Sequence, residues 1–402
     1  MAVTSSLTVG FGHADITPPV GVPLAGFAAR TAPATGCHDP LQLHAVAAGS
    51  GHAAAPASIV LVADLVGIGL TDAAAIEGAI AVATGVPAAC VSLTVTHTHG
   101  GPFGAQSLGG APEPGYLDLV RDAAVRAAQA ASTSRGPAVA WVGTQVLPGV
   151  TFNRRSEPNL DERVRMVAFR DPADALTGLV FSFACHPVVL GPANTELTAD
   201  WPGLARAVLS ERLGVPVVFL QGCCGDLNTG HRPEDSTLER AGARRTFPEA
   251  ERIAGLVVDA ALRALARARP VGPAPVVARR VMVDLASSEP AFELPLPAPV
   301  ALHDWAGARI VLLPGEPFIR IAQDIAEQAE APDLIVGGYA GGVPGYVPYP
   351  PSVYAAGGYE VTEAHHFYGR RAVFAPDAGV ALRSAAVGLL NGDHHTEEGG
   401  LP

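Results

Sequence analysis

Two histidines, one residue apart, close an apolar stretch: Val91–Ser92–Leu93–Thr94–Val95–Thr96–His97–Thr98–His99–Gly100–Gly101–Pro102. Side chains alternate along a strand, so Val91, Leu93 and Val95 would share a face with His97 and His99. An apolar face that turns to histidine at its end, then meets Gly-Gly-Pro, reads as a strand entering a site. Two imidazoles at i and i+2 can converge on one ion or flank one substrate; a pair of hydrogen-bonded loop histidines would look the same. A second apolar run, Gly178–Leu179–Val180–Phe181–Ser182–Phe183–Ala184–Cys185, also ends in histidine, His186, and Pro187 stops the ladder. That histidine suits a metal ligand or a satisfied core residue. In Ile310–Val311–Leu312–Leu313–Pro314–Gly315–Glu316–Pro317 a carboxylate stands where a strand turns into a helix, either as a ligand or as a capping residue favoured by the helix dipole. Gly337 to Tyr349 is a Gly-rich loop with three tyrosines, and a phenol becomes a ligand only when an ion depresses its pKa.

Together these segments place His, His, Glu and Tyr after separate strands, where open α/β sheets build their sites. Two histidines and one carboxylate leave a coordination position for water, as catalytic zinc requires. Zinc lowers the pKa of that water to about 7 and polarises a carbonyl.

The elements that must position these residues alternate along the chain. Strands are expected at Leu7–Gly12, Ala57–Ala63, Cys90–Thr96, Ala138–Gln145, Gly178–Cys185, Val215–Leu220, Arg309–Leu313 and Asp333–Gly337. Helices are expected at Thr71–Thr84, Pro114–Ser132, Trp201–Leu213, Ser236–Ala268 (interrupted near Pro248), Pro317–Gln328 and Asp377–Leu390. The first has a capping residue at its start, and the one after Glu316 has proline at its first position. Ala266–Pro275 reads as an internal linker, and the tail after Asn391, with His394 and His395, as polar and frayed. Alternating elements argue for a layered α/β fold.

The bulk numbers bound the rest. The chain has 402 residues, 49% hydrophobic and 16% charged, ample for a large buried core and too apolar for disorder. The net charge of −12 and the lack of any Lys/Arg cluster beyond Arg154–Arg155 and Arg279–Arg280 argue against nucleic acid as a partner. No apolar run approaches the roughly 20 residues of a membrane span, so membrane insertion is not expected. The first ten residues carry no positive n-region or long apolar stretch, so no signal peptide is read. Five cysteines, one pair adjacent, do not form a disulfide framework and suit a cytoplasmic protein. A homo-oligomer is compatible with all of this.

The chain resembles the N-terminal catalytic domain of the neutral (alkaline, non-lysosomal) ceramidases, from Val9 to about Gly369. Val9–Gly10–Phe11–Gly12–His13–Ala14–Asp15–Ile16–Thr17 looks like the family's opening motif. Thr96–His97–Thr98–His99–Gly100–Gly101–Pro102 matches its Thr-His-Thr-His-Ser-Gly-Pro, and Asn153–Arg154 its Asn-Arg-Ser. Phe183–Ala184–Cys185–His186–Pro187 stands at its Phe-Ala-x-His-Gly, Ala199–Asp200–Trp201–Pro202–Gly203 parallels its Asp-x-x-Gly, and Leu313–Pro314–Gly315–Glu316 matches Pro-Gly-Glu. Gly345–Tyr346–Val347 and Gly358–Tyr359–Glu360 follow in order. The resemblance implies layered mixed β-sheets flanked by helices, α/β/β/α-like, in a single large domain over residues 1–390 with a polar tail over 391–402. It implies zinc ligands at His97, His186, Glu316 and Tyr346. It places His99 beside the ion to handle protons or the oxyanion, and Arg154 where it orients the carbonyl or stabilises negative charge.

Two departures matter. The family's Gly-Asp-x-Ser-Pro-Asn is Gly225–Asp226–Leu227–Asn228–Thr229–Gly230 here, so the position of the often-named serine nucleophile is Asn228, which cannot be acylated. Asn228 can still donate to an oxyanion; Cys224 and Thr229 are candidate substitutes without an evident base. The family's C-terminal β-sandwich and export signal are not read in this chain, and nothing long and apolar marks a seat for two lipid tails. A small acylated amide, lactam or ester is therefore expected as substrate in place of ceramide. Asp64, at the end of Ile59–Ala63, suits either a carboxylate that orients a ligand histidine or a helix cap. The expected activity is zinc-dependent hydrolysis of an amide or ester by metal-activated water. An acyl transferase or cyclase using the same site, or a catalytically silent binding homologue, are the alternatives.

Overall fold

The structure, a computed structural model, describes residues 7–51, 53–107, 110–158, 160–229 and 245–392. The helices are α1 (Leu70–Thr84), α2 (Tyr116–Thr133), α3 (Asp200–Leu213), α4 (Phe247–Ala266), α5 (Ile319–Gln328), α6 (Tyr359–Thr362) and α7 (Ala378–Asn391). One mixed sheet runs Val91–Val95, Ser58–Ala63, Gln42–Ser50, Leu7–Asp15, Gly136–Pro137. A second runs Val217–Gln221, Leu176–Phe183, Arg163–Arg170, Val139–Val146, Arg269–Pro270. A third of four strands runs Val276–Leu285, Leu296–Trp305, Ala308–Leu312, Ile335–Gly337.

Side-chain alternation explains why the sheets stack. In Ser58–Ala63, Ile59, Leu61 and Ala63 face a core shared with Ile76 and Ile80 of α1 and Ala123 and Ala127 of α2. Val60 and Val62 face the opposite way, into a core shared with Val167, Phe169 and Val180 of the second sheet and Ile310 and Leu312 of the third. The second sheet's other face, with Met166, Leu179, Phe181 and Phe219, packs on Ala205 and Leu209 of α3 and Val257 and Ala261 of α4. The order is helices, sheet, sheet, helices: the α/β/β/α arrangement expected from the sequence. Strands buried on both faces read as continuous apolar runs, which is why these were visible.

Helix α2 lies unusually close to the first sheet. A Cβ on Gly12 would stand 2.1 Å from the Ala127 carbonyl oxygen, and one on Gly10 2.2 Å from that of Ala131. Glycine on the strand and alanine on the helix together allow this approach.

Several expected elements are corrected. Ala266–Pro275 is not a linker: Arg269–Pro270 pairs with Trp141 and Val142 at the edge of the second sheet. Helix α1 begins at Leu70 after Gly69, with no side-chain cap, and α5 begins at Ile319, because Pro317 belongs to a short strand with Glu316. The first part of the helix expected at Ser236–Ala268, and the tail with His394 and His395, lie outside the described residues. The strands Gln42–Ser50, Arg163–Arg170, Val276–Leu285 and Leu296–Trp305 are additional to those expected. Among the described residues, no helix is long and apolar enough to cross a membrane.

A buried polar clip joins the third sheet to the first. His303 bonds Ser58 Oγ through Nδ1 and Ser92 Oγ through Nε2, both at 2.8 Å, and Trp305 Nε1 donates to Ser58 at 2.9 Å. Burial, then the nearby Arg280, pulls the His303 imidazolium down to about 3, from an ordinary 6.5. The folded state therefore refuses a proton that the unfolded chain accepts. His303 leaves stability intact above pH 6.5 and lowers it as pH falls from 6.5 towards 3, by about 1.4 kcal/mol per pH unit. Between pH 7 and pH 5, His303→Gln should flatten the fall in unfolding free energy by about 2 kcal/mol in urea titrations. Equal slopes for the two proteins would refute this.

Candidate metal centre

The two parallel βαβ pairings set the site. Ser58–Ala63 and Val91–Val95 run parallel across α1, and Leu176–Phe183 and Val217–Gln221 run parallel across α3. His97 and His186 follow the carboxyl ends of Val91–Val95 and Leu176–Phe183, as the general rule for such sheets places a site. Gln221, fully buried at the end of a neighbouring strand, donates to the carbonyls of Thr96 at 3.2 Å and Cys185 at 3.1 Å. One amide group thus pins the residue before each histidine.

His97 does not continue the strand. Its φ of 63° is left-handed, so the expected alternation that would bring His97 and His99 onto one face with Val95 fails. The backbone turns at His97, and this turn brings the two rings together. Tyr339, whose ring centroid lies 4.4 Å from that of His97, also has a left-handed φ of 61°. Two touching non-glycine residues held in a sparsely populated region mark a place where the surrounding structure imposes the conformation.

Three imidazoles converge. Nε2 of His97 is 3.2 Å from Nε2 of His186 and 3.3 Å from Nε2 of His99. All three ligand atoms lie within 4.8 Å of one another. Oε2 of the fully buried Glu316 is 3.2 Å from Nε2 of both His97 and His186.

The opposite ring nitrogens decide the chemistry. Nδ1 of His97 meets the Val66 carbonyl at 2.5 Å, that of His99 the Gly26 carbonyl at 2.9 Å, and that of His186 the Cys224 carbonyl at 2.7 Å. A carbonyl only accepts, so each Nδ1 carries a hydrogen, and in the neutral imidazole Nε2 is then the nitrogen that offers a lone pair. Three such nitrogens and a carboxylate oxygen face one another. Donor atoms 3.2–3.3 Å apart match the edge of a tetrahedron with bonds of about 2.0–2.1 Å. The donor set fits a divalent cation, and the histidine cluster can hold a metal ion.

The surroundings hold these groups in place. Burial pulls the His186 imidazolium down to about 4, and burial followed by the neighbouring rings of His97 and His186 keeps His99 well below its ordinary value. Gly26 sits against the His99 ring with φ of 97°, and a Cβ there would lie 2.5 Å from Nδ1. Buried Arg30 clamps this turn by donating to the carbonyls of Ala25 at 2.8 Å and His99 at 2.7 Å.

Tyr346 enters through strand pairing: Glu316–Pro317 pairs in parallel with Tyr346–Val347, with Glu316 opposite Tyr346. The Arg154 guanidinium lies 5.1 Å from the centroid of the Tyr346 ring. Arg154 also pairs with Glu360 at 2.8 Å and donates to the Gly225 carbonyl at 2.5 Å. Asn228 is buried in a two-residue strand beside Phe152–Asn153, next to Leu227, whose carbonyl accepts from the His186 backbone at 3.1 Å. Cys224 is no substitute nucleophile. It is fully buried, burial pushes its thiol well above the ordinary value, and its Sγ is 3.0 Å from the Tyr339 hydroxyl.

Asp64 is corrected. Its carboxylate receives Arg206 at 2.9 and 2.6 Å and the Gln42 backbone at 2.9 Å. Carbonyls, not Asp64, hold the three Nδ1 positions. Tyr339, Tyr368, Glu360, Gln221 and Arg30 were not singled out from the sequence as site residues; Tyr339 carried a signal in lying in the same Gly-rich loop as Tyr346, and Glu360 in closing Gly358–Tyr359–Glu360.

No family model matches the chain, and no curated protein matches it. Solved structures do. The neutral ceramidase from Pseudomonas aeruginosa superposes with a TM-score of 0.80 at 17% identity, covering 96% of this chain and 75% of that one. A ceramidase complexed with C2 superposes with a TM-score of 0.78 at 17% identity, with the same coverage. The chain has the neutral-ceramidase fold.

Proposed function

We propose that the chain is a zinc-dependent hydrolase that cleaves an amide or ester bond of a small acylated substrate. The observation that carries this is the convergence of His97 Nε2, His186 Nε2 and Glu316 Oε2, with His99 Nε2 beside them. The ceramidase fold supports it. His97, His186, Glu316 and Tyr346 would hold the ion. When bound, zinc would supply a Lewis acid for the substrate carbonyl and lower the pKa of a coordinated water to about 7.

The chain's own groups do the rest. His99, at the half-buried edge of the cluster, keeps its Nδ1 hydrogen on Gly26, so Nε2 is the atom that accepts a proton and returns it to the leaving group. Arg154, immobilised by Glu360 and Gly225, directs positive charge towards the carbonyl oxygen. The Asn228 amide contributes a hydrogen bond to the same oxygen in place of a nucleophile. Cytoplasmic residence is part of this reading, supported by five unpaired cysteines.

A panel of short N-acyl amides, lactams and acyl esters tests the proposal. Hydrolysis should vanish on chelation and return with stoichiometric zinc. Full activity in metal-free protein would refute it, and so would transfer to an amine acceptor without hydrolysis.

A further inference from the structure

Glu316 meets its neighbours unequally with its two oxygens. Oε2 lies 3.2 Å from Nε2 of His97 and of His186, and 3.5 Å from the Tyr339 hydroxyl. Oε1 is engaged by the hydroxyl of Tyr368, 52 residues downstream. A carboxylate only accepts, so the phenol donates and Oε1 is the capped oxygen. Tyr368 closes a short helical turn, Ala364–Tyr368, that follows α6. The same segment orients other site residues. Glu360 pairs with Arg154 at 2.8 Å and Arg155 at 2.7 Å, and the rings of Tyr359 and Tyr368 pack 5.9 and 6.1 Å from that of Tyr346.

A carboxylate beside a cation can offer one oxygen or both. Rotation about the last side-chain bond is cheap unless something fixes it, because that torsion is broad. Among the described residues, the Tyr368 hydroxyl is the group that holds the far oxygen. We propose that Tyr368 is a positioning residue of the metal centre: its hydroxyl holds Oε1 of Glu316, so that Oε2 alone faces His97 and His186. This rests on reading the cluster as a metal site. Partners of ligands typically change metal affinity by about 10–100-fold when removed.

Tyr368→Phe keeps the ring and removes only the donor. Tyr354→Phe is the control, because that hydroxyl serves the Phe374 carbonyl at 2.9 Å and not the carboxylate. The measurements are zinc affinity by chelator competition, X-ray absorption of the zinc-loaded proteins, and the unfolding midpoint of the metal-free proteins. Tyr368→Phe should bind zinc at least about 10-fold more weakly and gain a second carboxylate oxygen in its coordination shell, with an unchanged metal-free midpoint. Tyr354→Phe should match wild type in affinity and coordination. Unchanged affinity and coordination in Tyr368→Phe would overturn the proposal. So would weaker binding explained by a lowered metal-free midpoint. If wild type binds no zinc, the metal reading itself fails, and this inference with it.

Discussion

Replacing His97 with alanine is expected to lower kcat/KM on any amide or ester substrate by at least about 1,000-fold and to leave the purified chain depleted of zinc. His97 is the hub of the cluster: its Nε2 lies within 3.2–3.3 Å of His99, His186 and Glu316, whereas the other pairs share fewer contacts. Removing it also takes away one of the two imidazoles that stand 3.2 Å from the fully buried Glu316 carboxylate. Two measurements check this, metal content by mass spectrometry and steady-state kinetics on the same preparation. Zinc at full stoichiometry together with wild-type kcat/KM would exclude His97 from the centre.

Breaking the Asp64–Arg206 pair should cost about 3–5 kcal/mol of unfolding free energy while leaving zinc affinity within about 2-fold. Asp64 is fully buried and Arg206 nearly so, and two contacts of 2.6 and 2.9 Å join them. Arg206→Leu strands a carboxylate in the interior, and Asp64→Leu strands a guanidinium. The double variant, with neither charge, should recover most of the loss, because an apolar pair of similar volume no longer pays for desolvation. Denaturant unfolding of the two single variants and the double variant measures the coupling. A large fall in zinc affinity with little change in stability would instead restore Asp64 to the role of orienting a histidine.

That pair also shows where sequence reading stops. A carboxylate at a strand end next to candidate histidines suggested a supporting role, but its partner lies 142 residues away and no local pattern links them. The strand ends themselves were legible. Apolar runs terminated by His97, His186 and Glu316 stand out, because strands buried on both faces have few polar interruptions. The reason given for the convergence of His97 and His99 was wrong, since a left-handed φ is not encoded in periodicity.

Other strands were hidden by composition. Gln42–Ser50 is rich in alanine and has Val46 as its one β-branched residue, too weak a mark of a strand. Leu296–Trp305 contains Pro297 and Pro299, which argue against an interior strand. The register resolves this. Only Ala301–Trp305 pairs with Ala308–Leu312, so both prolines fall where the strand has Val276–Leu285 as a partner and no ladder from Ala308–Leu312 on its other side. Tyr368 and Gln221 act on groups far along the chain, and a tyrosine or glutamine carries no sign of that in isolation.

Anomalous diffraction at the zinc edge, from crystals of the zinc-loaded chain, decides whether these side chains share one ion. One peak is expected within about 2.0–2.2 Å of Nε2 of His97, Nε2 of His186 and Oε2 of Glu316. A peak elsewhere with none at these atoms, or ordered side chains at 97, 186 and 316 facing only water, would contradict it.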